Sequence, residues 1–544
     1  MGIATTAGAT SESSGTAAAP DEALRIALLS PEAASEAARG HYETTSYRGL
    51  WLRPGGDDRA AIALVAALEG APAHGLPEGR YHVDVLRAAL AAAAGGDAEA
   101  TAAAELALTR AYLRYARDLT SGLLEPQRID RDLDFAPIRP EPAALLARMA
   151  GPDPAAALAA LAPSDPGYAG LTAELARLRA LPSGVWGPTV SEGESIKPGE
   201  RGPRVAAVRA RLTMLGALEA PVMATATTTA GGAVTTPDPA LFDGALEAAV
   251  RAFQRENGLN DDGVIGQRTI EAMNASPEDR IGQILVNLER MRWKNYDRGR
   301  RHVYVNQADF TVTLMDNGVP LFQERVVVGS RRHRTPEFSD AINHLVFNPT
   351  WHVPRSIAGK EILPLLKEDP DYLAKKNMRL VSRYADETPP DPATTDWSSY
   401  SARDFPYAIK QAPGDGNALG RVKFMFPNHH SIYLHDTPQK KLFAKDARAF
   451  SHGCIRVQDP MRLAYLLLAA QEADPQARID RLLAAGREAV VRLETPVPVH
   501  LDYRTAWIGA AGEVEYRADV YGRDGRVLEA LRGAGVEIEA GVGG

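Results

Sequence analysis

A single cysteine, Cys454, occurs in 544 residues, so no intramolecular disulfide can form and the fold must rest on packing. No stretch reaches the ~18–20 apolar residues that span a bilayer, and the longest candidate, residues 463–470 with their flanks, is too short. Lys and Arg form no long runs and the net charge is −8, which leaves no electrostatic footprint for nucleic acid. The opening Met1-Gly2-Ile3, followed by Ala, Thr, Ser and Gly, has neither the basic nor the apolar region of an export signal. What is present is ordinary for a globular protein: 45% hydrophobic and 24% charged residues, at a length that calls for two to four domains.

Residues 1–20 are low-complexity Ala, Thr, Ser and Gly and read as a disordered linker, with too little apolar surface to offset chain entropy. From 21 to 185 the pattern is Ala-rich and helical, with helices expected over 57–69, 83–94 and 105–119 and no titratable cluster that points to chemistry. A Pro/Gly/Ser-rich stretch leads to a second unit at 196–276. There Val205, Val208, Leu212 and Leu215 recur at helical spacing, and Leu246, Val250 and Phe253 form another stripe that ends at Asn257-Gly258. An insertion at 217–238 reads as a mobile surface loop, tolerable because loop-closure entropy grows slowly with length. Residues 277–300 form a connecting helix with Ile281, Ile284, Leu285, Leu288 and Met291 on one face.

The period then changes to two on either side of Asn317-Gly318, a strong hairpin signal that opens a β-rich unit over 301–530, with further strands expected at 342–348, 422–426 and 431–435. Residues 369–420 are rich in Asp, Pro, Tyr and Ser and read as a long loop serving as a lid; 531–544 read as a tail.

The chemistry concentrates in Ile432-Tyr433-Leu434-His435-Asp436-Thr437 and Phe450-Ser451-His452-Gly453-Cys454-Ile455-Arg456-Val457. A thiol nucleophile needs to be ionised, a base to take its proton, and amide donors aimed at the developing oxyanion. His435, at the end of a strand, is the best base; Gly453 lets a substrate approach the backbone, and the amides of Gly453 and Cys454 are the expected oxyanion donors. Each residue also has a plainer reading. His452 could simply hold the loop, Arg456 could serve a structural ion pair, and Trp351 and Trp507 could be core. His429 and His430, taken with His435, His452 and Cys454, fit no common zinc spacing, so neither metal nor organic cofactor is expected.

These segments resemble the signature of the L,D-transpeptidase family, a His followed after a variable loop by Ser-His-Gly-Cys-x-Arg, and all the fixed positions of that hexapeptide are present. The resemblance extends to Thr335-Pro336-Glu337-Phe338, Asn348-Pro349-Thr350-Trp351-His352-Val353-Pro354 and Tyr503-Arg504-Thr505-Ala506-Trp507, and to Asp519-Val520-Tyr521-Gly522-Arg523-Asp524. The unit at 196–276 resembles a three-helix peptidoglycan-binding domain through its A-x-x-x-F-Q-x-x-x-G-L pattern and Asp262-Gly263-Val264-Ile265-Gly266-Gln267-Arg268-Thr269.

The implied fold is multidomain α+β: a helical scaffold domain, a small three-helix peptidoglycan-binding domain, and a β-rich L,D-transpeptidase domain with a long lid insertion. The implied roles are nucleophile for Cys454 and base for His435, oriented by a backbone carbonyl rather than by Asp436. His452 and Gly453 join the catalytic loop, and Ser451, Arg456, Asn348, Trp351 and Tyr433 contact substrate. The implied partners are donor and acceptor stem peptides of peptidoglycan, with glycan strands as a further ligand and carbapenems as covalent inhibitors. The implied location is the periplasm. L,D-carboxypeptidase or endopeptidase action, attachment of proteins to the wall, and a non-catalytic wall-binding scaffold stand as rivals.

Overall fold

The computed structural model describes residues 20–30, 35–53, 57–181, 189–219, 238–382 and 388–538. The linker at 1–20, the insertion at 217–238 and the end of the tail at 531–544 fall largely outside these residues.

Strong helix formers build the N-terminal region. Helix Ala98–Ser121 opens on Asp97, whose carboxylate accepts from the amide of Ala100, and Arg59–Glu69 and Val83–Ala93 pack near it. Trp51, Leu64, Leu108 and Tyr112 lie in its core. Burial pushes the Glu105 carboxyl up, but it accepts from the amides of Trp51 and Leu52 at 3.0 and 3.1 Å and from the Tyr42 hydroxyl at 2.9 Å. The second unit folds Pro203–Met214, Gly244–Glu256 and Gln267–Asn274 around Val208, Leu212, Leu246, Val250 and Phe253.

The connecting helix Pro277–Trp293 starts with a capping box of Ser276 and Asp279, a feature that contributes about 1 kcal/mol. Its apolar stripe implies one buried face, yet from Ile281 to Trp293 only Gln283 keeps partial exposure. Charge on this buried helix is tolerated because it is paired. Glu289 accepts from Arg292, from the Trp293 indole at 2.9 Å and from the amide of Leu124 at 2.8 Å, so the helix is a spine shared by its neighbours. The C-terminal helix Arg523–Gly533 returns to the same core through Val527 and Leu531.

The β-rich unit is a nine-stranded sheet ordered Ala449–Ser451, Val319–Gly329, Ile455–Val457, Leu434–His435, Val422–Met425, Phe338–Phe347, Ala489–Asp502, Arg301–Asn306 and Thr311–Asp316. Thr311–Asp316 also pairs with Val319–Gly329, so the sheet closes on itself around Val305, Val312, Leu345, Phe424 and Leu434. Strand Ala489–Asp502 was not expected from the sequence. Pro496 and Pro498 argue against a central strand, and the structure accommodates them with a register shift between Arg492 and Val497.

Residues 369–420 correct the expectation of a long loop. Ala408–Gln411 is the central strand of a separate three-stranded sheet, pairing with Met378–Val381 on one side and Trp351–His352 on the other. Val353, Ile362, Leu366, Trp397, Phe405 and Ile409 give it a core of its own. The insertion is a folded subdomain that begins near Trp351, and its strands are too short to show alternation in sequence. Among the described residues no helix is long and apolar enough to cross a membrane.

Candidate active site

Alternation along Ile432-Tyr433-Leu434-His435 sends Ile432 and Leu434 into the barrel core and turns Tyr433 and His435 to the other face. Leu434–His435 runs parallel to Ile455–Val457, with Leu434 beside Ile455 and His435 beside Arg456; the amide of Ile455 donates to the Tyr433 carbonyl at 3.0 Å. That register puts Cys454 next to Tyr433, diagonal to His435, with all four side chains on one face. Across the opposite edge Lys423 pairs with His435, so Lys423, His435 and Arg456 form a row over three strands.

His435 is buried, and its Nδ1 lies 2.5 Å from the carbonyl oxygen of Asp436. A carbonyl only accepts, so Nδ1 carries the proton and Nε2 is left as the acceptor. The Asp436 carboxylate points elsewhere, accepting from the amides of Arg421 and Thr437 at 2.9 and 2.7 Å and from Lys440 at 2.8 Å. Burial, reinforced by the Arg456 cation, lowers the His435 pKa to about 3 and keeps the ring neutral. Burial pushes the Cys454 thiol up, opposed by hydrogen bonds from Tyr433 and by the Arg456 and Lys423 cations. Both shifts favour a thiol beside a neutral imidazole, so ionisation of the nucleophile falls to proton transfer onto the base. The thiol itself donates to the Ser431 carbonyl at 3.6 Å.

Ser451 is buried, donates to the Cys454 carbonyl at 2.5 Å and accepts from the Gly453 amide at 3.0 Å. This corrects two expectations: Ser451 staples its own loop instead of facing substrate, and the Gly453 amide is already engaged. No acceptor meets the Cys454 amide among the described residues, which leaves it as the available oxyanion donor. Gly453 has φ 116°, a region that disfavours any side chain, and a Cβ there would come within 3.0 Å of Ile432. Its carbonyl accepts from Thr335 at 2.7 Å.

Three stretches of the chain match family models. Residues 300–499 match the model described as "L,D-transpeptidase catalytic domain", residues 36–175 the "Scaffold domain", and residues 201–273 the "Putative peptidoglycan binding domain". The chain carries an L,D-transpeptidase catalytic domain over residues 300–499.

A Haemophilus influenzae protein named "Putative L,D-transpeptidase" is 34% identical over 255 residues, covering 46% of this chain and 50% of that protein; the chain thus spans about half the length of that relative. The N-acetylmuramoyl-L-alanine amidase CwlM of Mycobacterium tuberculosis is 37% identical over 86 residues, 16% of this chain and 20% of that one. Crystal structures of L,D-transpeptidases from Stackebrandtia nassauensis and Xylanimonas cellulosilytica align at 13% and 14% identity with TM-scores of 0.20 and 0.18. They cover 58% and 57% of this chain and 98% and 99% of theirs.

Within the L,D-transpeptidase domain, the remaining expected site residues divide. Arg456 donates to the Gln439 side-chain oxygen at 2.6 Å, and its Nε is buried with no partner among the described residues. His452 meets Glu361 at 2.6 Å and stacks on His333 with ring centroids 4.6 Å apart, linking the signature loop to the inserted subdomain. Asn348 is buried with φ 46° and donates to the carbonyls of Leu482 and Leu483 at 2.9 and 3.2 Å. It caps the end of helix Pro475–Ala484 and does not face substrate, which corrects its expected role. Trp351 packs half-buried against the subdomain core. Sequence reasoning missed Lys423, Ser431, His333 and Glu361; only the order of non-consecutive strands and the fold of the insertion bring them to the site.

Proposed function

We propose that this chain forms 3→3 cross-links in peptidoglycan through a thioacyl intermediate on Cys454. The observation that carries the reading is the shared face of Cys454, Tyr433, His435 and Arg456, with the His435 tautomer set by the Asp436 carbonyl.

The Cys454 sulfur attacks the carbonyl carbon of the third residue of a donor stem while its proton passes to Nε2 of His435. The oxyanion is met by the Cys454 amide, and the cations of Arg456 and Lys423 offset developing negative charge. Collapse breaks the peptide bond; the terminal D-Ala leaves as an amine, taking the proton from His435. The side-chain amine of an acceptor stem then attacks the thioester, gives its proton to His435, and the thiol is re-formed. A neutral resting pair suits this sequence, since the imidazole is free to accept when attack begins.

The matched peptidoglycan-binding domain supports wall substrate and a periplasmic site of action. Incubation with tetrapeptide muropeptides and mass spectrometry tests the proposal. Cross-linked dimers are expected; tripeptide alone would mean that water is the acceptor and the activity is that of an L,D-carboxypeptidase. No turnover would leave a wall-binding scaffold.

A further inference from the structure

His429 and His430 are exposed and half-buried, and neither has a part in the chemistry above. In the fold they meet Asp134, a residue of the N-terminal helical region 295 positions away from His429 in sequence. His429 Nε2 lies 3.1 Å and His430 Nε2 2.8 Å from the same carboxylate oxygen, and the three ligand atoms all fall within 4.8 Å of one another.

We propose that Asp134, His429 and His430 form a binding site for a divalent transition-metal ion of the zinc class, joining the scaffold domain to the rim of the active site. Imidazole nitrogens and a carboxylate oxygen are suitable zinc ligands, and bond lengths of about 2.0–2.1 Å place tetrahedral ligand atoms about 3.3–3.4 Å apart. The two nitrogen–oxygen separations of 3.1 and 2.8 Å need to open by only roughly 0.2–0.6 Å to reach that spacing, with further positions left to water.

Both halves of the site are held in place. The amide of Asp134 donates to the Glu337 carbonyl at 2.9 Å, fixing the carboxylate against the barrel. Asn428 closes the other half, donating to the carbonyls of Phe426 and Ile432 at 2.6 and 2.8 Å, and the His430 ring rests 5.0 Å from that of Phe338. The next residue, Ser431, presents the carbonyl that accepts from the Cys454 thiol. A metal ion here pins that carbonyl against the sulfur and keeps the thiol protonated.

The test titrates the full chain carrying Cys454→Ser with Co²⁺ and Zn²⁺, so that the nucleophile cannot supply the ligand. One equivalent is expected to bind, with visible d–d absorption for Co²⁺ and a raised unfolding midpoint for Zn²⁺. Loss of a partner behind a ligand weakens metal binding 10–100-fold, so removing a ligand with His429→Ala should cost at least about a hundredfold. His429 is exposed, so that change does not threaten the fold. In the wild-type chain Zn²⁺ should slow alkylation of Cys454, an effect lost in His429→Ala. Absence of binding, or an affinity that falls less than about tenfold in both His429→Ala and Asp134→Asn, overturns the site.

Discussion

The barrel wall that carries Cys454 and the three-stranded subdomain that meets it at His452 are built on different terms. On the wall, the functional side chains come from three paired strands whose register is fixed and whose other face fills the barrel core. The subdomain has a separate core, and it reaches the signature loop through the half-exposed His452–Glu361 pair. The groups proposed to share a proton are thus set on paired strands, while the element beside them packs around a core of its own.

Substitutions on the two sides should differ accordingly. Cys454→Ser should lower turnover by at least about a thousandfold and abolish the covalent adduct expected on incubation of the unsubstituted chain with a carbapenem; an intact-mass shift that survives this change would contradict the assignment of the nucleophile. His435→Gln keeps a side chain of similar reach but removes the base, so kcat should fall about 10²–10⁴-fold in steady-state assays. The same variant sharpens the account of burial. The folded-state pKa of His435 is about 3 against an ordinary value of 6.5, so the unfolded chain takes up the proton first. Stability from this group is fully present above 6.5 and is lost as the pH falls toward 3; urea unfolding of His435→Gln across that window should show a flatter dependence.

Ser451→Ala should cost about 1–3 kcal/mol by leaving the Gly453 amide without its acceptor, with a roughly tenfold to hundredfold loss of rate as the loop shifts. Denaturant titration and kinetics together check this. On the subdomain side, Glu361→Gln should change stability by no more than about 1 kcal/mol, because the pair is exposed. Its effect should be a few-fold change in KM with kcat nearly preserved. A large fall in kcat would show that the subdomain, too, is part of the rigid machinery.

Much of the site was legible in sequence because its chemistry is local. Ser451-His452-Gly453-Cys454-Ile455-Arg456 is contiguous, and the carbonyl that orients His435 belongs to the next residue. Asn348 was misread because its amide is spent on the distant carbonyls of Leu482 and Leu483, which only the fold brings near, and Ser451 because its hydroxyl closes the turn to Gly453 and Cys454, a geometry that the motif does not record. The inserted sheet escaped notice because strands of two to four residues carry no readable period.

The linear order of residues by itself determined a three-part chain, helical and then β-rich, with a candidate nucleophile, a candidate base and a glycine in the segments that carry them, since helix and strand periods and short motifs act over neighbouring residues. Tertiary structure alone decided that Lys423 and Arg456 flank the same imidazole, that the connecting helix is buried from Ile281 to Trp293 except at Gln283, and that Asp134 meets His429 and His430. Those outcomes depend on which distant strands and domains pack together, and that is settled by the burial of whole surfaces, which no local pattern records.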